Sequence, residues 1–111
     1  MRINTNLLTK IAKRSNREQR HASIIFNCGN PVAWGFNNPR EHAEEVAVRH
    51  IENYLGNIVF KKPTMVNIRL TRAGKIGLSK PCPACLDLLK EKKFRKVIYS
   101  NNKGGFDEIY L

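Results

Sequence analysis

The chain is short of acid, of cysteine and of long apolar runs. Nine Asp and Glu stand against twenty Lys and Arg, a formal net charge of +11 over 111 residues. That excess favours anionic partners such as nucleotides, nucleic acid or an acidic protein. No apolar run approaches the roughly 20 residues that cross a bilayer, so a membrane span is not expected. The stretch from Met1 to Arg20 lacks the apolar block of a signal peptide, and a cytoplasmic location is the expectation. The three cysteines are odd in number and two lie close together, which argues against a disulfide framework. Repeats, linkers and low-complexity tracts are absent. With 41% apolar residues the composition is that of a globular chain, and its length suits one domain spanning 1–111.

The pattern along the chain alternates helix and strand with short connections, as in α/β layering. Leu7, Leu8, Ile11 and Ala12 recur at helical spacing and predict a helix over about 4–14. Ala22, Ile24, Phe26 and Cys28 alternate with their neighbours as a strand. Gly29, Asn30 and Pro31 mark a turn, and Val32, Trp34 and Phe36 a second strand. From Ala43 to Leu55 the apolar residues fall three and four apart, the clearest amphipathic helix, which Gly56 stops. Val66, Ile68 and Leu70 predict a third strand. Pro83 suits the first position of a helix capped by Cys82 and continued through Leu86, Leu89 and Phe94. Val97–Tyr99 and Ile109–Leu111 predict two more strands.

Two segments carry chemistry, His42-Ala43-Glu44 and Pro81-Cys82-Pro83-Ala84-Cys85, each at an expected helix start. Cys82 and Cys85, three apart, face one spot, and a helix N-terminus favours the thiolate that binds zinc. His42 adds a nitrogen donor. Three protein ligands leave a fourth tetrahedral position for water. On a regular helix His42 and Glu44 point apart, since each residue turns the chain about 100°. They share a site only off the helix end.

His-x-Glu followed by Pro-Cys-x-x-Cys resembles the signature of the zinc nucleoside and nucleotide deaminases, the cytidine deaminase-like superfamily. Gly35-Phe36-Asn37 before His42, and the stretch from Leu78 to Ser100, extend the likeness over about four-fifths of the chain. The resemblance implies a three-layer fold with a central mixed five-stranded sheet flanked by helices. It implies zinc on His42, Cys82 and Cys85, lowering the pKa of a bound water to around 7. Glu44 is then the proton carrier, not a ligand. The backbone around Ala43 reads the base edge, Asn37 meets the sugar, and Phe36 and Trp34 lie near the base or fill the core. Lys80, or Arg40, is placed to meet a phosphate.

Other readings of the same residues stand beside this one. Cys82-Pro83-Ala84-Cys85 alone also fits a glutaredoxin-type redox pair, though it falls late in the chain and leaves His42 and Glu44 unexplained. A structural zinc needs a fourth ligand, and Cys28, His21 and His50 remain. Cys28 reads as a small core residue, His50 as a packed histidine and His21 as a solvated one. The basic runs 10–20 and 90–96 read as solvated faces.

The metal histidine resembles the nucleotide-, tRNA- and polynucleotide-deaminating branches. The connection from Ser100 to Phe106 is too short for a crossover helix, so the last two strands are expected antiparallel, as in the free cytidine branch. The expected substrate is the cytosine of a small pyrimidine nucleoside or nucleotide. Single-stranded DNA or RNA is the alternative, which the charge favours and the scarcity of stacking aromatics opposes. A non-catalytic zinc module is a third. By fold-level analogy so small a domain forms a homo-oligomer.

Overall fold

In the computed structural model, residues 5–15, 19–54 and 62–111 are described. They form α1 (Thr5–Ala12), β1 (Arg20–Asn27), β2 (Asn30–Phe36), α2 (Ala43–Tyr54), β3 (Thr64–Leu70), β4 (Ile76–Gly77), α3 (Pro83–Glu91), β5 (Lys96–Ser100) and β6 (Phe106–Tyr110). The sheet order is β2-β1-β3-β5-β6, with β4 paired to β3. The sheet therefore has six strands, one more than expected. β4 is only two residues long and pairs Gly77 with Arg69, too short a run to show a period-2 pattern. β5 and β6 are antiparallel, as the short connection requires. The end of α2 expected at Leu55 and Gly56 lies outside the described residues.

Strand alternation divides the core in two. Ala22, Ile24, Val66, Ile68 and Leu70 face Leu8 and Ile11 of α1. Ile25, Met65 and Val97 face the other way, onto Ala47 and Val48 of α2 and Leu89 of α3. The result is three layers, α1, sheet, then α2 with α3. Ile24, Ile68 and Leu70 are at most 1% exposed, and each contributes about 1.5–3 kcal/mol of burial.

Two local expectations are corrected. Cys28 is exposed and sits in the β1–β2 turn with φ 52°, followed by Gly29 at φ 81°. Positive φ at both central residues gives the turn whose twist matches a two-residue hairpin, so the turn precedes Asn30 and Pro31. Pro31 is then tolerated because β2 is an edge strand. Phe94 lies beyond α3, not within it. Lys93 adopts φ 63°, and Phe94 N–H returns to the Leu89 carbonyl at 3.0 Å while Lys93 N–H returns to Lys90 at 3.0 Å. This is a Schellman ending, and it drops Phe94 onto Leu89 in the core.

β1 is antiparallel to both β2 and β3, and β3 is parallel to β5. Hence β2, β3 and β5 run in one direction. α2 follows β2 directly and so begins at the carboxyl end of the parallel strands, where open α/β sheets hold their ligands, whereas α3 follows β4, which turns back antiparallel along β3.

Candidate active site

His42 immediately precedes α2 and Cys82 immediately precedes α3. The His42 carbonyl accepts the first helical bond, from Val46 N–H at 3.1 Å. Glu45 reaches back to His42 N–H at 3.0 Å, half of a capping box. His42 thus stands off the helix end, and the two diverging directions of a regular helix do not apply to it. Cys82 is extended (φ −69°, ψ 162°), is followed by Pro83 and makes no side-chain capping bond. Its sulfur is left for another partner.

These two starts converge. His42 Nδ1 lies 3.7 Å from Cys82 Sγ and 3.3 Å from Cys85 Sγ. Among the described residues, His42, Cys82 and Cys85 form a group able to hold a metal ion, with donor atoms all within 4.8 Å of one another. Zinc bonds of about 2.3 Å to sulfur and 2.0–2.1 Å to nitrogen, at tetrahedral angles, would set sulfur and nitrogen roughly 3.6 Å apart. The two observed spacings bracket that value. Two thiols and an imidazole are also the soft-to-borderline donors zinc takes. The residues therefore fit a zinc ion.

In the metal-free protein the electrostatics favour the protonated Cys85 thiol. Burial, then the charge of Glu44, pushes the Cys85 thiol up, so the pull of the helix N-terminus toward thiolate is outweighed. A coordinated divalent cation reverses that balance by deprotonating the thiol outright. Burial likewise holds the Glu44 carboxyl above the usual carboxylate range, although its own backbone amide, His42 and Asn67 pull the other way. Glu44 is 6% exposed and its Oε2 accepts Asn67 Nδ2 at 3.1 Å.

His42 and Cys82 open onto a cleft of about 420 Å³, lined also by Gln19, His21, Asn37, Ala43, Glu44, Ser79 and Lys80, while Cys85 lies buried behind it. Of the residues expected to contact substrate, Asn37, Ala43 and Lys80 line it. Asn37 arrives with its amide engaged at both ends, accepting from His21 N–H at 2.9 Å and donating to the Gln19 carbonyl at 2.7 Å. Phe36 does not line the cleft and packs half-buried beside the α1-side core. Arg40 is exposed and also outside the lining. Trp34 is 44% exposed, and its ring stands edge-on to His50, centroids 5.0 Å apart. His50 is half-buried with Nδ1 3.1 Å from the Trp34 carbonyl, a packing contact on the edge strand.

His21, expected to be solvated, is instead a half-buried wall of the cleft. Burial, then Arg69 and His42, brings its pKa down to about 4, so it is neutral at physiological pH. Asn67, Ser23 and Ser79, none of them marked by a motif, also join the site. Ser23 Oγ donates to Asn67 Oδ1 at 2.7 Å, and Ser79 Oγ donates to the Asn67 carbonyl at 3.0 Å. One signal was available: Asn67 interrupts the apolar run Met65-Val66-Asn67-Ile68.

No protein-family model matches the sequence, and no curated protein matches it significantly. Solved structures do match. The cytidine deaminase from Burkholderia pseudomallei superposes with a TM-score of 0.66 at 16% identity, covering 97% of this chain and 93% of that one. The dCMP deaminase from the cyanophage S-TIM5 gives 0.68 at 18% identity over 87% and 79% of the two chains. A mutant cytidine deaminase from Mycobacterium tuberculosis gives 0.62 at 15% identity over 87% and 84%. The chain has the cytidine deaminase-like fold, with the six-stranded sheet described above. No helix among the described residues is long and apolar enough to cross a membrane.

Proposed function

We propose that this chain, over residues 1–111, is a zinc-dependent hydrolytic deaminase that converts the cytosine of a small nucleoside or nucleotide to uracil and ammonia. The observation that carries the reading is the meeting of His42, Cys82 and Cys85 beside a buried Glu44 at one end of a cleft. The likeness to cytidine and dCMP deaminases supports it. A redox role for Cys82 and Cys85 leaves His42, packed 3.3 Å from Cys85, without a purpose. A purely structural zinc calls for a fourth protein ligand, and among the described residues none joins the group.

His42, Cys82 and Cys85 hold the metal, and zinc there supplies Lewis-acid activation of a water molecule. Glu44 takes a proton from the attacking water and passes it to the pyrimidine ring nitrogen. It then moves the remaining proton of that water to the amino group, which leaves the ring carbon as ammonia while the water oxygen stays as the new carbonyl. A carboxyl lifted above its ordinary range is matched to both directions of that transfer. The Ala43 backbone meets the base edge and Asn37 the sugar, through the one N–H and one lone pair its own bonds leave over. Lys80, exposed at the cleft mouth, meets a phosphate. The cleft volume is that of a small-molecule site. We expect the protein to self-associate, which sedimentation measures.

Ammonia release from cytidine, its monophosphates and a single-stranded oligonucleotide tests the reading. Turnover of the nucleoside or nucleotide is the expected result. Turnover of the oligonucleotide alone replaces it with a polynucleotide deaminase. Zinc binding with no turnover on any substrate leaves a binding module.

A further inference from the structure

We propose that Asn67 is a positioning residue that fixes the Glu44 carboxylate for proton transfer, and that Ser23 sets the direction in which the Asn67 amide points. The catalytic consequence rests on the deaminase reading above; the positioning itself rests on the geometry.

Asn67 lies at the centre of β3, on the face that looks toward α2 and α3, between Val66 and Ile68, both 0% exposed. An apolar side chain is the inexpensive choice there, because a buried amide must find a partner for each polar atom. Asn67 finds them on two elements. Ser23, its register partner on β1, donates to Oδ1 at 2.7 Å. Nδ2 donates to Glu44 Oε2 at 3.1 Å. The hydroxyl bond to Oδ1 turns the NH2 group toward Glu44, and an ionised carboxylate, which only accepts, is the acceptor it suits. All three side chains are at most 6% exposed, so water does not compete for these bonds.

The same residue also touches the other half of the site. Its backbone carbonyl accepts Ser79 Oγ at 3.0 Å, and Ser79 in turn meets Ser100 Oγ at 2.8 Å. Ser79 precedes Cys82 by three residues. Asn67 thus ties the Glu44 carboxylate and the segment leading to Cys82 to one rigid central strand. Glu44 belongs to α2 and Cys82 to the start of α3. Without a shared anchor, their separation would follow every small shift of one helix against the other. A misplacement of about 1 Å in such a site is worth about 10²-fold in rate.

The test is Asn67→Ala and Ser23→Ala in the zinc-loaded protein, with kcat, KM and zinc content measured for each. For Asn67→Ala we expect kcat to fall about 10²-fold, with KM changed by less than about threefold and zinc content unchanged. Ser23→Ala, which removes no bond to Glu44, is expected to lose about tenfold in kcat, the equivalent of one hydrogen bond. Equal losses in kcat and zinc content would make Asn67 a scaffold residue and overturn the proposal, as would a kcat within about threefold of wild type. A cycle of melting temperatures decides the contact independently of turnover. Asn67→Ala should lower the melting temperature by several degrees less in a Glu44→Ala background than in the wild type, by about 4 °C or more. Additive shifts overturn the coupling whatever the activity. A wild-type protein without turnover overturns the deaminase reading, and the melting cycle then still separates a coupled pair from an uncoupled one.

Discussion

Gly35 of β2 lies directly beneath the backbone of Ala47 in α2: a Cβ on Gly35 would stand 2.6 Å from the Ala47 nitrogen and 2.8 Å from the Ala43 carbonyl oxygen. That close approach fixes the height of α2 above the sheet, and with it the position of His42 at the helix start. Backbone cannot move aside as a flexible side chain can. Gly35→Ala is therefore expected to push α2 outward, at a cost of about 1–3 kcal/mol. Thermal unfolding should show the loss, and zinc titration should show weaker binding in the same variant. An unchanged melting temperature would mean the helix has slack that the packing does not show.

Glu44 is buried beside the candidate metal donors without belonging to their group. Glu44→Ala should keep its zinc and lose turnover by about 10²–10⁴-fold, the range for a positioned proton carrier. Metal analysis and ammonia release on the same preparation check both halves. Near-wild-type turnover would remove the proton-transfer role.

His21 gives the metal-free protein a pH dependence. Its pKa of about 4 in the folded chain lies below the ordinary 6.5. As pH falls the unfolded chain takes up this proton first, so the neutral form's contribution is full above about pH 6.5 and lost as pH falls toward 4. The contribution amounts to at most about 2–3 kcal/mol for a half-buried ring. Urea unfolding of chelator-treated protein at pH 7 and pH 4.5, wild type against His21→Gln, should show the wild type losing more stability between the two. Equal losses would place His21 in water.

Lys93 holds a left-handed conformation that favours glycine. Since the carbonyls of Leu89 and Lys90 are already satisfied by the ending it forms, Lys93→Gly should relieve the strain without breaking a bond. A gain of about 0.5–1 kcal/mol in unfolding free energy is expected. A loss would show that the lysine side chain contributes more than its backbone costs.

The layers, the antiparallel final strands and the two helix starts were legible because each leaves a local mark. Alternation marks β1 and β3, spacing of three and four marks α2, and Pro83 marks the first residue of α3. That His42, Cys82 and Cys85 come together was legible through the resemblance of their two motifs to a known signature. What stayed hidden depends on tertiary neighbours. His21 looked solvated because its basic flanks are local, whereas the cleft that buries it is built from Asn37, Glu44 and Ser79 far along the chain. Cys28 alternates in phase with Ala22, Ile24 and Phe26, but a two-residue turn takes it out of the strand one position early. β4 exists only because Gly77 meets Arg69 across a turn. The Ser23–Asn67–Glu44 chain joins three elements, and no single stretch of sequence contains it.

The most direct test of the account is X-ray absorption at the zinc edge on the purified, substrate-free protein, with metal stoichiometry measured alongside. One zinc per chain is expected, with two sulfur ligands at about 2.3 Å and two nitrogen or oxygen ligands at about 2.0–2.1 Å, one of them exchangeable with solvent. A shell of three or four sulfurs, or a protein that binds no zinc, would contradict it.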